Sequence, residues 1–188
     1  MGHAYERELR GLLAGENQVV DRLTRTGSDD LVRAYRTPLK APFHVVRAAG
    51  SLGDGDLVAM RNGFAFLLEV KSAARDTVHF SESSGALQEQ AEELSKMASQ
   101  AGTLALYAFR LKGHRKKDPW RLFTVPSENL NGRAAILARR TPELPTTDSG
   151  TFVLRWDQGR PLHEFLTHYY SVFEDGVSGD LPLPAVPS

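Results

Sequence analysis

Asp56-Leu57-Val58-Ala59-Met60-Arg61-Asn62-Gly63-Phe64-Ala65-Phe66-Leu67-Leu68-Glu69-Val70-Lys71 is the stretch that decides the fold. Asp56–Met60 and Phe64–Val70 read as two strands. Between them, Asn62-Gly63 is the pair that favours a type I′ turn, whose twist matches that of the strands it joins. The nearly continuous apolar run of the second strand predicts burial on both faces, as in the middle of a sheet. A hairpin brings its two ends together, so Asp56 and Glu69 can reach one point. Glu69 and Lys71 are two residues apart on a strand and project to the same face. A Glu-x-Lys pair alone is common on soluble sheets. An Asp at the opposite end of a hairpin, behind a buried apolar strand, makes the combination more specific.

Elements are legible on either side of the hairpin. Upstream, Phe43–Arg47 reads as a strand and Ala48–Gly55 as a turn of small residues. Tyr5–Ala14 reads as a helix with Tyr5, Leu9, Leu12 and Leu13 on one face. Residues 16–42 suggest one or two short helices around a break at Gly27-Ser28-Asp29-Asp30. Ser28 is a suitable cap, and Pro38 and Pro42 are expected to end any helix. Downstream, residues 72–84 read as a polar connection and Gln88–Gln100 as a helix stopped by Gly102. Leu104–Phe109 and Trp120–Val125 read as a fourth and a fifth strand. The expected fold class is therefore α/β, a mixed five-stranded sheet flanked by helices, the helix at 88–100 forming a right-handed crossover if its strands are parallel. Beyond Pro126 the signal weakens, with an edge strand expected at Phe152–Trp156 and a helix at Leu162–Phe173. The expected organisation is a domain over 1–126, with 16–42 as an insertion, and a C-terminal extension over 127–188 that is disordered or extended at 181–188.

Composition narrows the function classes. The 188 residues hold 23 Lys or Arg against 23 Asp or Glu, so the formal net charge is zero. That excludes a disordered polyelectrolyte. The absence of cysteine excludes disulfides, thiolate zinc sites and cysteine nucleophiles. No stretch approaches the roughly 18 apolar residues of a membrane helix, and Glu6, Arg7, Glu8 and Arg10 interrupt the N-terminus, so a cytoplasmic protein with no membrane partner is expected. Charge is segregated: residues 105–140 hold nine Lys or Arg and two acids, whereas residues 141–188 hold seven acids and two Arg.

Two carboxylates at one sheet edge suit a hard divalent cation, which prefers oxygen ligands. Such an ion neutralises a phosphodiester oxygen and lowers the pKa of a water. Lys71 could orient that water or stabilise developing charge, and the first helix could bring in Glu6.

These residues resemble the PD-(D/E)xK nucleases and, more specifically, the archaeal Hjc-type Holliday junction resolvases. The resemblance runs through Tyr5-Glu6-Arg7-Glu8-Leu9, Phe43–Ser51 with its Arg47-Ala48-Ala49-Gly50-Ser51 run, Asp56–Ala59, Leu68–Ser72, Glu89-Gln90 to Leu94, and Trp120–Phe123. It implies a restriction-endonuclease-like fold and a Mg²⁺-dependent endonuclease, with Mn²⁺ as a possible substitute. It also implies branched DNA as substrate, a homodimer, paired symmetric nicks and 5′-phosphate products. Residue by residue, Asp56, Glu69 and the Val70 carbonyl match metal ligands, Lys71 the catalytic lysine, and Glu6 the acid of the first helix. Ser51 matches a serine near the scissile phosphate, Arg7 and Arg47 match phosphate-binding arginines, and Gln90 matches a glutamine of the crossover helix. Arg115, Lys116 and Lys117 are expected to add DNA contacts. Glu8 projects roughly opposite to Glu6, because two positions turn a helix by about 200°. Other functions compatible with the sequence are a nuclease acting on other DNA structures and an inactive junction-binding module.

Overall fold

A computed structural model of the chain describes residues 3–48, 55–81, 85–114 and 118–174. In chain order the elements are α1 (His3–Leu13), α2 (Asn17–Thr24), α3 (Asp29–Lys40), β1 (His44–Arg47), β2 (Leu57–Arg61), β3 (Phe64–Ala73) and β4 (Thr77–His79). They continue with α4 (Ala86–Ala101), β5 (Leu104–Leu111), β6 (Trp120–Thr124), α5 (Gly132–Arg139), β7 (Val153–Arg155), β8 (Arg160–Pro161) and α6 (Leu162–Glu174).

The main sheet has the order β1-β2-β3-β5-β6-β8. Neighbouring strands are antiparallel except β3 and β5, which run parallel with α4 between them in sequence. The expected fold class is therefore found, a mixed sheet flanked by helices. The hairpin turns where expected: Asn62 and Gly63 both take positive φ, 50° and 69°, as a type I′ turn requires.

β5 explains why helices cover both faces. Leu104, Leu106 and Ala108 belong to one core, with residues of α1, α3 and α6. Ala105, Tyr107 and Phe109, the alternate positions, belong to a second core with Ala91, Leu94 and Ala98 of α4. The strand's continuous apolar run is thus the signature of a two-sided strand. α6 adds Leu162, Phe165, Leu166, Tyr169 and Phe173 to the first core, all at most 1% exposed. Tyr169 and Phe173 stack at 4.3 Å, and Tyr170 donates to the Ala41 carbonyl at 2.7 Å.

Several expectations are corrected, the first being burial of β3 on both faces, since Ala65 is exposed and Leu67 only half-buried. The main sheet has six strands, because the two-residue β8 pairs with β6; two residues, one of them proline, carry no periodic signal. The connection 72–84 contains β4, and β7, expected as an edge strand of the sheet, pairs with β4 in a separate two-stranded sheet. α5 lies where no element was expected. Finally, Pro38 does not end α3 but sits inside it, the helix running on to Lys40. The other breaks behave as read: α2 and α3 flank Gly27-Ser28, and Ser28 Oγ accepts from the Leu31 N–H. α3 packs tightly on the end of α1, since a Cβ on Gly15, at φ 70°, would lie 2.3 Å from the Pro38 carbonyl oxygen. The tail expected to be disordered at 181–188 lies outside the described residues. Among the described residues no helix is long and apolar enough to cross a membrane.

Candidate active site

The hairpin places its two carboxylates at one rim of the main sheet. Asp56 immediately precedes β2, where its amide donates to the Leu68 carbonyl at 2.9 Å, and Oδ2 accepts from the Val70 N–H at 2.7 Å. The amide and carbonyl of one strand residue face the same edge, so the Val70 carbonyl also points to the Asp56 side. Glu69 stands on the α4 face of β3 and is only 2% exposed. Lys71 Nζ donates to Glu69 Oε1 at 2.7 Å and to Gln90 Oε1 at 2.9 Å. Gln90 comes from α4, so the crossover helix fixes the lysine from above.

Glu6 projects from α1 and is buried. Its Oε2 lies 3.0 Å from Arg47 of β1, and both of its oxygens lie 3.2 Å from His3 Nδ1. A cleft of about 420 Å³ is lined by Glu6, Asp56, Glu69, Val70, Lys71, Ser72, Gln90 and Lys112. Glu8 takes the other flank of α1, where it binds Arg110 and the Trp120 indole N–H. Arg7 is exposed beside the cleft residue Glu6. Ser51, Arg115, Lys116 and Lys117 lie outside the described residues. A larger cavity of about 600 Å³ is walled by Ser95, Lys96, Glu128 and Glu143 among others, but its three charged residues are exposed, unlike the buried Glu6 and Glu69 of the cleft.

The electrostatics of the cleft are those of acids held against their preference. Burial pushes the Asp56 carboxyl above its ordinary range, with Glu6 adding to the shift, against the Val70 hydrogen bond, Lys71 and Arg47. Burial likewise raises Glu69, and Asp56 adds to it, against Lys71 and Gln90. Tyr107, which lies opposite Glu69 on β5, is driven up by burial and by both carboxylates. Its buried hydroxyl has no hydrogen-bond partner.

Two crowded, partly desolvated carboxylates fit a hard divalent cation, which adds to the countercharge that Lys71 supplies. Among the described residues no group of three or more His, Asp or Glu comes together to hold an ion unaided. Mg²⁺ commonly completes its shell with water and phosphate oxygens, so two carboxylates and a carbonyl are a sufficient protein contribution.

Lys112 is the cleft residue that the sequence reading passed over, counting it only within the basic stretch 105–140. No local signal marks it: β3 and β5 run parallel with Lys71 level with Phe109, and only that register brings residues just past Phe109 level with those just past Lys71. The Lys112 amide binds the Ala73 carbonyl at 2.8 Å, which anchors it there.

A mixed sheet with an Asp and a Glu-x-Lys pair at one rim is an arrangement of the PD-(D/E)xK type. The chain belongs to the archaeal Holliday junction resolvase (Hjc) family, whose sequence model matches residues 30–141. The match spans Asp56, Glu69, Lys71 and Gln90 and supports a nuclease of the resolvase class. Among solved structures the chain is similar to Hjc of Archaeoglobus fulgidus, a Holliday junction resolvase from an archaeal hyperthermophile. That likeness has 21% identity and a TM-score of 0.46, and covers 69% of this chain and 90% of that one. No curated protein matches the chain.

Proposed function

We propose that the protein is a divalent-metal-dependent endonuclease that resolves four-way DNA junctions by paired symmetric nicks. The observation that carries this reading is the single cleft shared by Asp56, Glu69, Lys71 and Glu6 in a chain of the Hjc family. Asp56, Glu69 and the Val70 carbonyl hold Mg²⁺, with Mn²⁺ as a substitute. When bound, the ion supplies positive charge at the phosphate and lowers the pKa of a water.

The chain's own residues supply the rest. Lys71, anchored between Glu69 and Gln90, presents an ammonium to the attacked phosphodiester and stabilises the charge that develops there. Gln90 keeps that ammonium in place. Glu6 orients the attacking water from α1 and is itself steadied by Arg47. Arg7 and Arg47, together with Ser51, Arg115, Lys116 and Lys117, contact the DNA backbone. Lys112 adds positive charge at the cleft mouth. Contacts of this kind select DNA by shape and position, not by base sequence. Two symmetric cuts need two sites related by a twofold axis, hence a homodimer.

The test compares a labelled immobile junction with its linear arm duplex, each with Mg²⁺ and with EDTA, for the wild type and Glu69→Ala. Paired nicks on the junction alone, with metal and wild-type protein alone, are expected. Equal cutting of the duplex would reassign the substrate. Junction binding with no cut in Mg²⁺ or Mn²⁺ would replace the enzyme with a binding module.

A further inference from the structure

A second cavity, of about 510 Å³, opens on the other flank of α1 from the cleft. Its walls include Glu8 of α1, Arg22 and Arg25 at the end of α2, Arg110 of β5, His114 and Pro119. Three arginines and one glutamate are thus among the lining residues. Glu8 Oε1 binds Arg110 at 2.9 Å, and Glu8 Oε2 binds Arg22 at 3.3 Å. Glu8 is therefore shared between two cations and neutralises one of them. Arg25 is exposed and has no acidic partner among the described residues. The cavity thus carries an excess of about two positive charges at the surface, while the whole chain has none.

The cavity is linked to the cleft by a run of contacts around α1. Lys112, which lines the cleft, has its Nζ 5.9 Å from the Tyr5 ring centroid. The guanidinium of Arg110 lies 5.3 Å from the same ring. Arg110 and Arg22 then meet at Glu8. A cationic track therefore runs from Lys112 through Arg110 to Arg22 and Arg25. Planar guanidinium forks suit phosphate oxygens, and their charge is local where the chain's net charge is zero.

We infer that this cavity seats a backbone phosphate of the bound DNA beyond the one being cut, and that the α2 segment exists in part to build it. The inference rests on the nuclease reading for its ligand and on the arginines for its place. Arg22 and Arg25 lie before residue 30, where the family match begins, so membership of the family says nothing of them.

The test measures equilibrium binding of a labelled four-way junction across a salt series for the full-length wild type, Arg22→Ala/Arg25→Ala and Arg22→Lys/Arg25→Lys. Thermal melting of each variant establishes that it folds. The alanine pair should bind about 10-fold or more weakly near 0.1 M salt. Its log K against log salt plot should be shallower by about 1 to 2, since each neutralised phosphate contributes about 0.9. The lysine pair should restore most of the slope. Wild-type affinity and slope in the folded alanine pair would overturn the inference. So would a stabilisation of the wild type by inorganic phosphate that the alanine pair loses while its DNA binding stays intact, since the cavity would then take a free anion. Wild-type cleavage of the junction is scored in parallel. Cleavage with an unchanged alanine pair removes the cavity and keeps the nuclease, and a weakened alanine pair without wild-type cleavage does the reverse. Wild-type protein that binds no DNA removes both.

Discussion

The Val70 N–H donates a 2.7 Å hydrogen bond to Asp56 Oδ2, and this one contact ties the start of β2 to the far end of β3. It aims the Asp56 carboxylate across the mouth of the hairpin through a backbone donor that no substitution at Val70 other than proline removes. Its consequence is that the carboxylate's position and its charge can be separated experimentally.

Asp56→Asn should achieve that separation. The amide oxygen can still accept from Val70, so the hairpin keeps its geometry, while the negative charge is lost. Junction cleavage with Mg²⁺ should fall by about 100-fold or more, with the melting temperature at or above that of the wild type. Single-turnover cleavage and a thermal melt on the same preparation check both halves. A variant that cuts at near the wild-type rate would remove Asp56 from the site.

Glu69 makes a prediction about pH. Burial and Asp56 raise its carboxyl in the folded protein, so between the ordinary value, about 4.3, and the raised one the folded state binds more protons than the unfolded state. Stability therefore falls as pH rises through that window, and the cost is fully present above it. Glu69→Gln removes the cost. In EDTA the variant should be more stable than the wild type at neutral pH, by about 1 kcal/mol, and the gap should shrink as pH drops toward 4. Urea unfolding between pH 4 and 8 measures it. A variant less stable than the wild type at pH 7 would mean that the Lys71 contact outweighs the desolvation.

His168 on α6 has the opposite sign. Burial, Arg140 and Arg160 lower its pKa, so the unfolded chain binds the proton more readily. Its contribution is complete above the ordinary imidazole value, about 6.5, and is lost as pH falls from there toward the lowered value. Wild-type melting temperature should drop between pH 7.5 and 5.5 more than that of His168→Gln. Parallel curves for the two proteins would show that the imidazole is neutralised in some other way.

Much of the fold and the cleft was legible because the decisive signals are local. Asn62-Gly63 sets the hairpin, the apolar run Phe64–Leu68 sets the central strand, and the parity of Glu69 and Lys71 sets their common face. The crossover helix carries its own periodicity, whereas Gln90 on it was named through the family resemblance alone. What escaped was held by tertiary contact. β4, β7 and β8 are two or three residues long and exist only because a partner strand lies alongside. α3 runs through Pro38 because Tyr35 and Leu31 bury its face in the core, which outweighs the missing N–H. Lys112 became a cleft residue through the parallel register of β3 and β5, a relation between strands that the sequence does not spell out.

Asp118 shows how the unreadable segments are fastened. Its Oδ1 accepts from the Tyr35 hydroxyl at 2.7 Å and from the Trp120 N–H at 2.9 Å. Its Oδ2 lies 2.8 Å from both the backbone N and the Nδ1 of His163. One carboxylate that is 3% exposed thus joins α3 of the 16–42 segment to β6 and to α6. The Tyr35 hydroxyl is held protonated, its pKa driven up by burial and by Asp118, so it remains a donor. Asp118→Ala leaves several buried donors without an acceptor, each worth about 1–3 kcal/mol, and should cost about 3 kcal/mol or more. Tyr35→Phe removes one donor and leaves Asp118 its other partners, so it should cost less, about 2 kcal/mol. Urea unfolding of the two variants gives the order. Equal losses, or a loss confined to Tyr35→Phe, would mean that Asp118 does not join the three elements energetically.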